Sequence, residues 1–319
     1  MSWKKKFITG ITLASTTTLA IHMINRFVYY AATLDNLLAN PSGTYYNWKF
    51  GKIYYKKTGK GHPLLLIHDL TTYSSGHEWN KVLDTLAKTN TVYRIDLLGC
   101  GRSDKPNLTY TNYLYVQLIN DFIKHVIGEQ TDIIATGESG AFAVSACQNN
   151  DSIIRKIILV NPSDIKSLSR IPTQQSKALF RLINLPVIGT LLYNILTRRE
   201  NVHSLFSDSY YYNRKKVENE TVNTYYETAH AGEGSPKHLA ASLSGHYTTV
   251  DMNHCLRSLT NSIYMIMGEK EENIEIEKKY KSILPSIESV TIEGTKHLPQ
   301  LEKDKKFIEQ VNLFLDDEY

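Results

Sequence analysis

The chain has little cysteine. Cys100, Cys147 and Cys255 lie far apart and show no C-x-x-C spacing. An odd, scattered set excludes a disulfide framework and a cysteine zinc site. An excess of one charge is also missing. Across 319 residues, 36 Lys and Arg stand against 32 Asp and Glu, a formal charge of +4. So weak an excess gives no ground for a nucleic-acid partner, and the 21 tyrosines carry no stacking motif. No repeat on the scale of roughly 33–45 residues recurs, which argues against a solenoid. The chain does have apolar material: 42% hydrophobic residues against 21% charged ones. That ratio supports a packed core and excludes global disorder. The length suits one large α/β domain with an insertion, or two ordinary domains.

Only one long uncharged run occurs. Lys4, Lys5 and Lys6 precede Phe7–Ile24, and Arg26 follows. Eighteen helical residues measure about 27 Å, close to a bilayer core of ~30 Å. Thr9, Thr12, Ser15 to Thr18 and His22 dilute the run. A retained signal anchor is the favoured reading. A cleaved signal peptide has only Thr18-Leu19-Ala20 as a poor cleavage site, and a packed or surface helix is the third reading. Three lysines before the run against one arginine after it put the N-terminus inside and the main domain outside the cytoplasm. Residues 1–43 thus read as anchor and connector, the connector 27–43 ending in the turn signal Asn40-Pro41-Ser42-Gly43.

Beyond residue 43 the pattern alternates. Tyr45–Phe50 and Lys52–Lys57 predict an antiparallel hairpin. Pro63–His68, Thr91–Asp96, Asp132–Thr136, Lys156–Val160, Ser262–Met267 and Ser289–Ile292 predict strands, several of them continuous apolar runs suited to burial on both faces. Helical spacing covers Trp79–Leu86, Tyr113–Ile127, Ala141–Cys147 and Asp304–Leu315. Such alternation implies a mostly parallel sheet with helices on both faces. Residues 162–250 break the rhythm and predict a helical insertion, with a helix over Ala178–Leu196. The organisation expected is a core of 44–161 and 251–319 with a cap of 162–250.

Strand Asp132–Thr136 runs into Gly137-Glu138-Ser139-Gly140-Ala141 and then into an apolar helical stretch. A serine on a sharp strand-to-helix turn projects its hydroxyl above the sheet. Small residues two positions either side let the chain pass close to itself, and the helix that follows offers free N–H groups to an oxyanion. Read this way, Ser139 is a nucleophile.

Here the sequence resembles the α/β-hydrolase superfamily over most of residues 45–315. Leu65-Leu66-Ile67-His68-Asp69-Leu70 is similar to the oxyanion-strand motif, which usually reads His-Gly-x. Asp96-Leu97-Leu98-Gly99-Cys100-Gly101-Arg102-Ser103-Asp104-Lys105-Pro106 resembles the loop after the next strand. Gly137–Ala141 resembles the nucleophile elbow, and Gly294-Thr295-Lys296-His297-Leu298-Pro299-Gln300-Leu301-Glu302 the histidine loop. The resemblance implies an eight-stranded sheet with a helical cap inserted after the sixth strand. Esterases, proline iminopeptidase-like enzymes, C–C bond hydrolases and epoxide hydrolases have capped members.

In this fold the triad order is serine, acid, histidine. His297, on a glycine-containing loop after Ser289–Ile292, is the expected base for Ser139. Glu271 takes the place where the family commonly has its aspartate, with Glu269, Glu272 and Asp164 as alternative acids. The oxyanion donors implied are the backbone N–H groups of Leu70 and Gly140. Asp69 stands where a glycine is usual and is expected to narrow the hole, since a carboxylate beside a developing oxyanion raises the barrier. Glu138 adds a second acid. The expected function is hydrolysis of a small hydrophobic ester, thioester, lactone or amide through an acyl-enzyme. No metal or organic cofactor is implied. The alternative is a catalytically degenerate, membrane-tethered binding module. Haloalkane dehalogenase and epoxide hydrolase chemistry needs an aspartate nucleophile, which the serine at position 139 disfavours. Partners expected are a small-molecule substrate and, through the N-terminal helix, a membrane.

Overall fold

The computed structural model describes residues 3–39, 42–270 and 275–316. Among them, eight strands form one sheet in the order β1-β2-β4-β3-β5-β6-β7-β8. They are β1 (Thr44–Trp48), β2 (Gly51–Thr58), β3 (His62–Ile67), β4 (Asn90–Ile95), β5 (Thr131–Thr136), β6 (Ile154–Val160), β7 (Ser262–Gly268) and β8 (Glu288–Ile292). β2 is antiparallel to β1 and to β4, and the remaining pairs are parallel. The helices are α1 (Trp3–Ala32), α2 (Asn80–Leu86), α3 (Asn112–Phe122), α4 (Ser139–Asn149), α5 (Ile165–Leu168), α6 (Gln174–Asn184), α7 (Ile188–Leu196), α8 (Arg199–Ser204), α9 (Asn219–His230), α10 (Lys237–Ser244), α11 (Met252–Arg257), α12 (Glu275–Ile283), α13 (Pro299–Glu302) and α14 (Asp304–Leu315). This is the α/β-hydrolase fold expected from the sequence, and α5 to α10 occupy the insertion between β6 and β7.

Strand alternation builds the core. Leu65 and Ile67 of β3 pack on one face of the sheet with Ile133 and Phe142. Leu64 and Leu66 pack on the other with Trp79, Ile134 and Phe307. The period of two sends neighbours to opposite faces, and both faces are covered by helices, so β3 reads as an unbroken apolar run over residues 63–67.

Two expectations need correction. The helix expected over Ala178–Leu196 is two helices. Pro186 has no N–H to continue α6 and holds the residue before it extended, with Leu185 at ψ 138°. The connector expected from residue 27 begins as helix, since α1 continues to Ala32, and this region is docked on the insertion. Asn25, buried in α1, donates to Val187 O at 2.9 Å and accepts from Asn194 at 3.0 Å. Glu227 of α9 accepts from the backbone N–H groups of Leu37 and Leu38.

The sheet order places the site. After β3 the chain moves to β4 on one side and then returns to β5 on the other. The C-terminal ends of β3 and β5 therefore flank a topological switch point, where open α/β sheets leave a crevice. His68–Leu70 leave β3 there, and Gly137 leaves β5.

Candidate active site

The elbow is sharp, but its tip is Gly137. Gly137 has φ +58°, a left-handed conformation that a residue without Cβ adopts at least cost. Ser139, two residues on, is the first residue of α4 and is fully buried. Its hydroxyl donates to His68 O at 2.6 Å and ties the base of the elbow to the end of β3. Ser139 therefore does not stand at the tip of the turn, where the sequence places it. The strand runs to Thr136, so the turn comes before the serine, and the residue at the tip has no side chain.

A different side chain occupies that space. A Cβ built on Gly137 would stand 2.1 Å from Asp69 Oδ1. That oxygen accepts from the N–H of Leu70 at 2.8 Å and from the N–H of Glu138 at 2.9 Å. The other oxygen, Oδ2, lies 3.1 Å from His297 Nε2. Leu70 is one of the two expected oxyanion donors. Gly140, expected as the second, donates within the turn to Gly137 O at 3.3 Å, and the N–H that joins Leu70 on Asp69 Oδ1 is that of Glu138, the residue after the tip. The Asp69 carboxylate occupies the space between these two N–H groups.

Charge at this carboxylate is well held. Burial pushes the Asp69 pKa up, but the bond to His297 and the backbone donors Glu138 and Leu70 outweigh it and hold the group below its usual value. Directly behind lies Glu78, buried, whose Oε2 accepts from Asp69 N at 3.2 Å and whose Oε1 accepts from Gln300 at 3.0 Å. Burial, then the charge on Asp69, push Glu78 up to about 8. Two adjacent carboxyls are thereby separated into a charged Asp69 and a protonated Glu78, the pattern by which folds assign acid and base roles.

The same shift bears on stability. Below about 4.5 Glu78 is protonated whether folded or not, and its contribution is fully present. As pH rises towards about 8, the unfolded chain releases the proton while the folded one keeps it, so stability falls by about 1.4 kcal/mol per pH unit at most. Glu78→Gln is expected to remove this slope, giving a flatter Tm between pH 5 and 8 by calorimetry. An unchanged slope would place the titration elsewhere.

The acid candidates fare differently. Asp164 pairs with Lys279 at 2.8 Å. Glu269 accepts from Gly294 N at 2.8 Å and pairs with Lys270. Both are spent on other partners. Glu271 and Glu272 lie outside the described residues. The stem of their loop runs beside the histidine loop, with Lys270 N donating to Thr295 O at 3.0 Å. Glu138 is pushed up to about 7 by burial, against the opposing hydroxyl of Thr248.

Sequence reasoning missed Glu78, Gln300 and Tyr210. The Tyr210 ring, from the insertion, stacks on His297 with centroids 5.0 Å apart. Gln300 lies within the quoted histidine loop, but no local pattern in the sequence marks any of the three as facing this site. The Asp96–Pro106 stretch, in contrast, is scaffolding. Asp96 accepts from Gly76 N and Arg102 N, and Ser103 bonds Asp96 O and Tyr54 N. A Cβ on Gly101 would meet Asp96 Oδ2 at 2.2 Å, which accounts for the glycine. Beyond Leu70 the loop continues as Thr71–Tyr73, one wall of a largely apolar cavity of about 210 Å³ whose other walls include Ile183, Tyr193 and Leu196 of the insertion.

Comparison with known proteins agrees with this architecture. A profile of the alpha/beta hydrolase fold matches residues 62–304. An uncharacterised protein of Mycobacterium tuberculosis strain H37Rv is 23% identical over 274 residues, covering 82% of this chain and 77% of that protein. A soluble epoxide hydrolase of Corynebacterium sp. strain C12 is 25% identical over 123 residues, 38% of this chain and 42% of that protein. Among solved structures, CarC, a serine hydrolase involved in carbazole degradation, is similar at TM-score 0.69 and 19% identity, covering 86% of this chain and 98% of its own. At that identity the likeness is one of fold. With the profile matching most of its length and the sheet order to go with it, the chain belongs to the alpha/beta hydrolase family.

Proposed function

We propose that this chain is a hydrolase in which Asp69, not Ser139, is the nucleophile and His297 the base. The observation that carries the reading is the Asp69 carboxylate, with one oxygen between two backbone N–H groups and the other facing His297 at an elbow tip without a side chain. A carboxylate so held suits attack on an electrophilic saturated carbon, as in an epoxide. Oδ2 forms a C–O bond, the ring C–O bond breaks, and the alkoxide takes a proton from water. The product of this step is an ester of Asp69.

Once esterified, Oδ2 carries no charge, and His297 Nε2 is left to take a proton from a water. The hydroxide attacks Asp69 Cγ. Negative charge develops on Oδ1, where Leu70 and Glu138 already donate, so no reorganisation is needed. Collapse breaks the Cγ–Oδ2 bond, the leaving oxygen takes the proton back from His297 to complete the diol, and the carboxylate is restored with one oxygen from water. Glu271 retains its proposed part of orienting His297. The similar soluble epoxide hydrolase is in keeping with this chemistry. Residues 162–250 would form the cap, and the cavity beside Thr71–Tyr73 a hydrophobic substrate site. Phe7–Ile24 would tether the enzyme to a membrane with the catalytic domain outside the cytoplasm.

A second reading, a binding module, draws on the filled oxyanion hole and the sealed Ser139. One experiment separates them. In single turnover of a terminal epoxide in H₂¹⁸O, with enzyme in excess, the reading requires ¹⁸O in the peptide that contains Asp69. Label found only in the diol would remove Asp69 as nucleophile. Absence of turnover across an epoxide and ester panel would favour the binding module.

A further inference from the structure

The insertion carries a row of large apolar side chains that nothing among the described residues covers. Leu179 and Leu182 of α6, Leu185 of the turn, and Ile188, Ile195 and Leu196 of α7 are 41% to 56% exposed. A soluble surface rarely keeps so many together. The row also lies beside α1. The turn Pro186–Ile188 and the α1 residues from Gly10 to Ile21 line one apolar groove of about 590 Å³. Those α1 residues fall inside the uncharged run Phe7–Ile24. If that run enters a bilayer, the turn beside it enters as well.

The turn is built for such a place. Irregular backbone enters lipid only where its polar groups find partners in the protein. Ile188 N donates to Pro186 O at 2.5 Å, closing a γ-turn around Val187, which sits at φ 57° and ψ −64°. Pro186 has no N–H. Val187 O accepts from Asn25 and from Leu191 N. Leu185 O accepts from Gly189 N and from Lys237 Nζ at 2.9 Å. Asn25 is itself an α1 residue, so the helix of membrane length holds the strained turn in shape. Arg181 and Arg198 are exposed on and just after the same two helices, suited to lipid phosphates at the margin.

From this we infer that the α6–α7 face is a membrane-docking surface: its apolar row and the 185–188 turn sit beside α1 in the leaflet that faces the catalytic domain. Ile183 of α6 and Leu196 of α7, from the same two helices, also wall the cavity beside Thr71–Tyr73. The enzyme would therefore meet substrates dissolved in the bilayer, amphiphiles or apolar compounds, before those in water. The inference rests on the tether in the reading above and is independent of which residue is the nucleophile.

The test uses the full chain in vesicles of phosphatidylcholine and phosphatidylglycerol. The native cysteines are buried, so Leu185→Cys and Ile188→Cys, each labelled with an environment-sensitive fluorophore, report on single sites. Leu313→Cys on α14 is the control. Sedimentation with vesicles that resists carbonate reads the tether, and the labels read the docking. Docking requires blue-shifted emission at 185 and 188, quenched by brominated acyl chains, and an unaffected label at 313. A protein that sediments while its 185 and 188 labels stay in water keeps the tether and overturns the docking. Labels that respond to protein concentration but not to brominated lipid would make the face a contact between copies of this chain and overturn it too. Failure to sediment overturns both.

Discussion

Asp69→Asn is expected to lower kcat for epoxide opening on the order of 10⁴-fold or more, the scale on which loss of a nucleophile registers. Ser139→Ala is expected to lose less than about tenfold, because its hydroxyl faces His68 O and not the crevice. What Ser139→Ala should lose is stability, about 1–2 kcal/mol, since a buried acceptor is left short of its donor. The contrast decides between the two elbow readings by steady-state kinetics and thermal melting. If Ser139→Ala abolished turnover and Asp69→Asn did not, the hydroxyl would have to leave His68 and reach past Gly137, and the reading offered here would fall. Asp69 also bears on an expectation from sequence, that removing this acid relieves an oxyanion hole. With both N–H donors bound to its own carboxylate, removal is instead expected to empty the site of its reactive group.

His297→Gln is expected to split the reaction in two. Attack by Asp69 needs no base, whereas hydrolysis of the ester does. A stoichiometric burst should appear, then a stop, with turnover down on the order of 10⁴-fold and the intact protein heavier by the mass of one substrate. The added mass should map to the peptide bearing Asp69. Loss of the burst together with turnover would assign His297 to the first step, and the double variant with Asp69→Asn should be no slower than Asp69→Asn alone, since the two groups act in series on one ester.

The resemblance located the right loops. His297 and Leu70 lie on the loops where the sequence places them and the turn follows Asp132–Thr136, because glycines and short polar turns between apolar runs are local signals. It misplaced the tip by two residues. Gly137-Glu138-Ser139-Gly140-Ala141 satisfies the small-x-nucleophile-x-small pattern as written, and so does Ala135-Thr136-Gly137-Glu138-Ser139 with glycine at its centre. Only the register of β5 against β6, where Thr136 pairs with Val160, says where the strand stops and the turn begins. Asp69 was singled out as a departure from the family, yet its meaning depended on which way its carboxylate points.

What the sequence determined by itself was the layered architecture and the places where the chain turns. Apolar period, glycine and proline act within a few residues of one another, and the α/β alternation with a helical block after β6 follows from them. Pro186 accounts locally for the break between α6 and α7, and glycine at 137 permits the left-handed tip at least cost. The tertiary structure decided the chemistry. Asp69 and His297 are 228 positions apart, and Glu78, Gln300 and Tyr210 come from three further elements. Whether a carboxylate is a nucleophile, a spoiler of an oxyanion hole or a surface charge depends on burial, on two N–H donors and on one imidazole. None of these is near it in sequence except Leu70. Burial and long-range hydrogen bonding set the charge states of Asp69 and Glu78, and those exist only once the switch point of the sheet has brought the ends of β3 and β5 together.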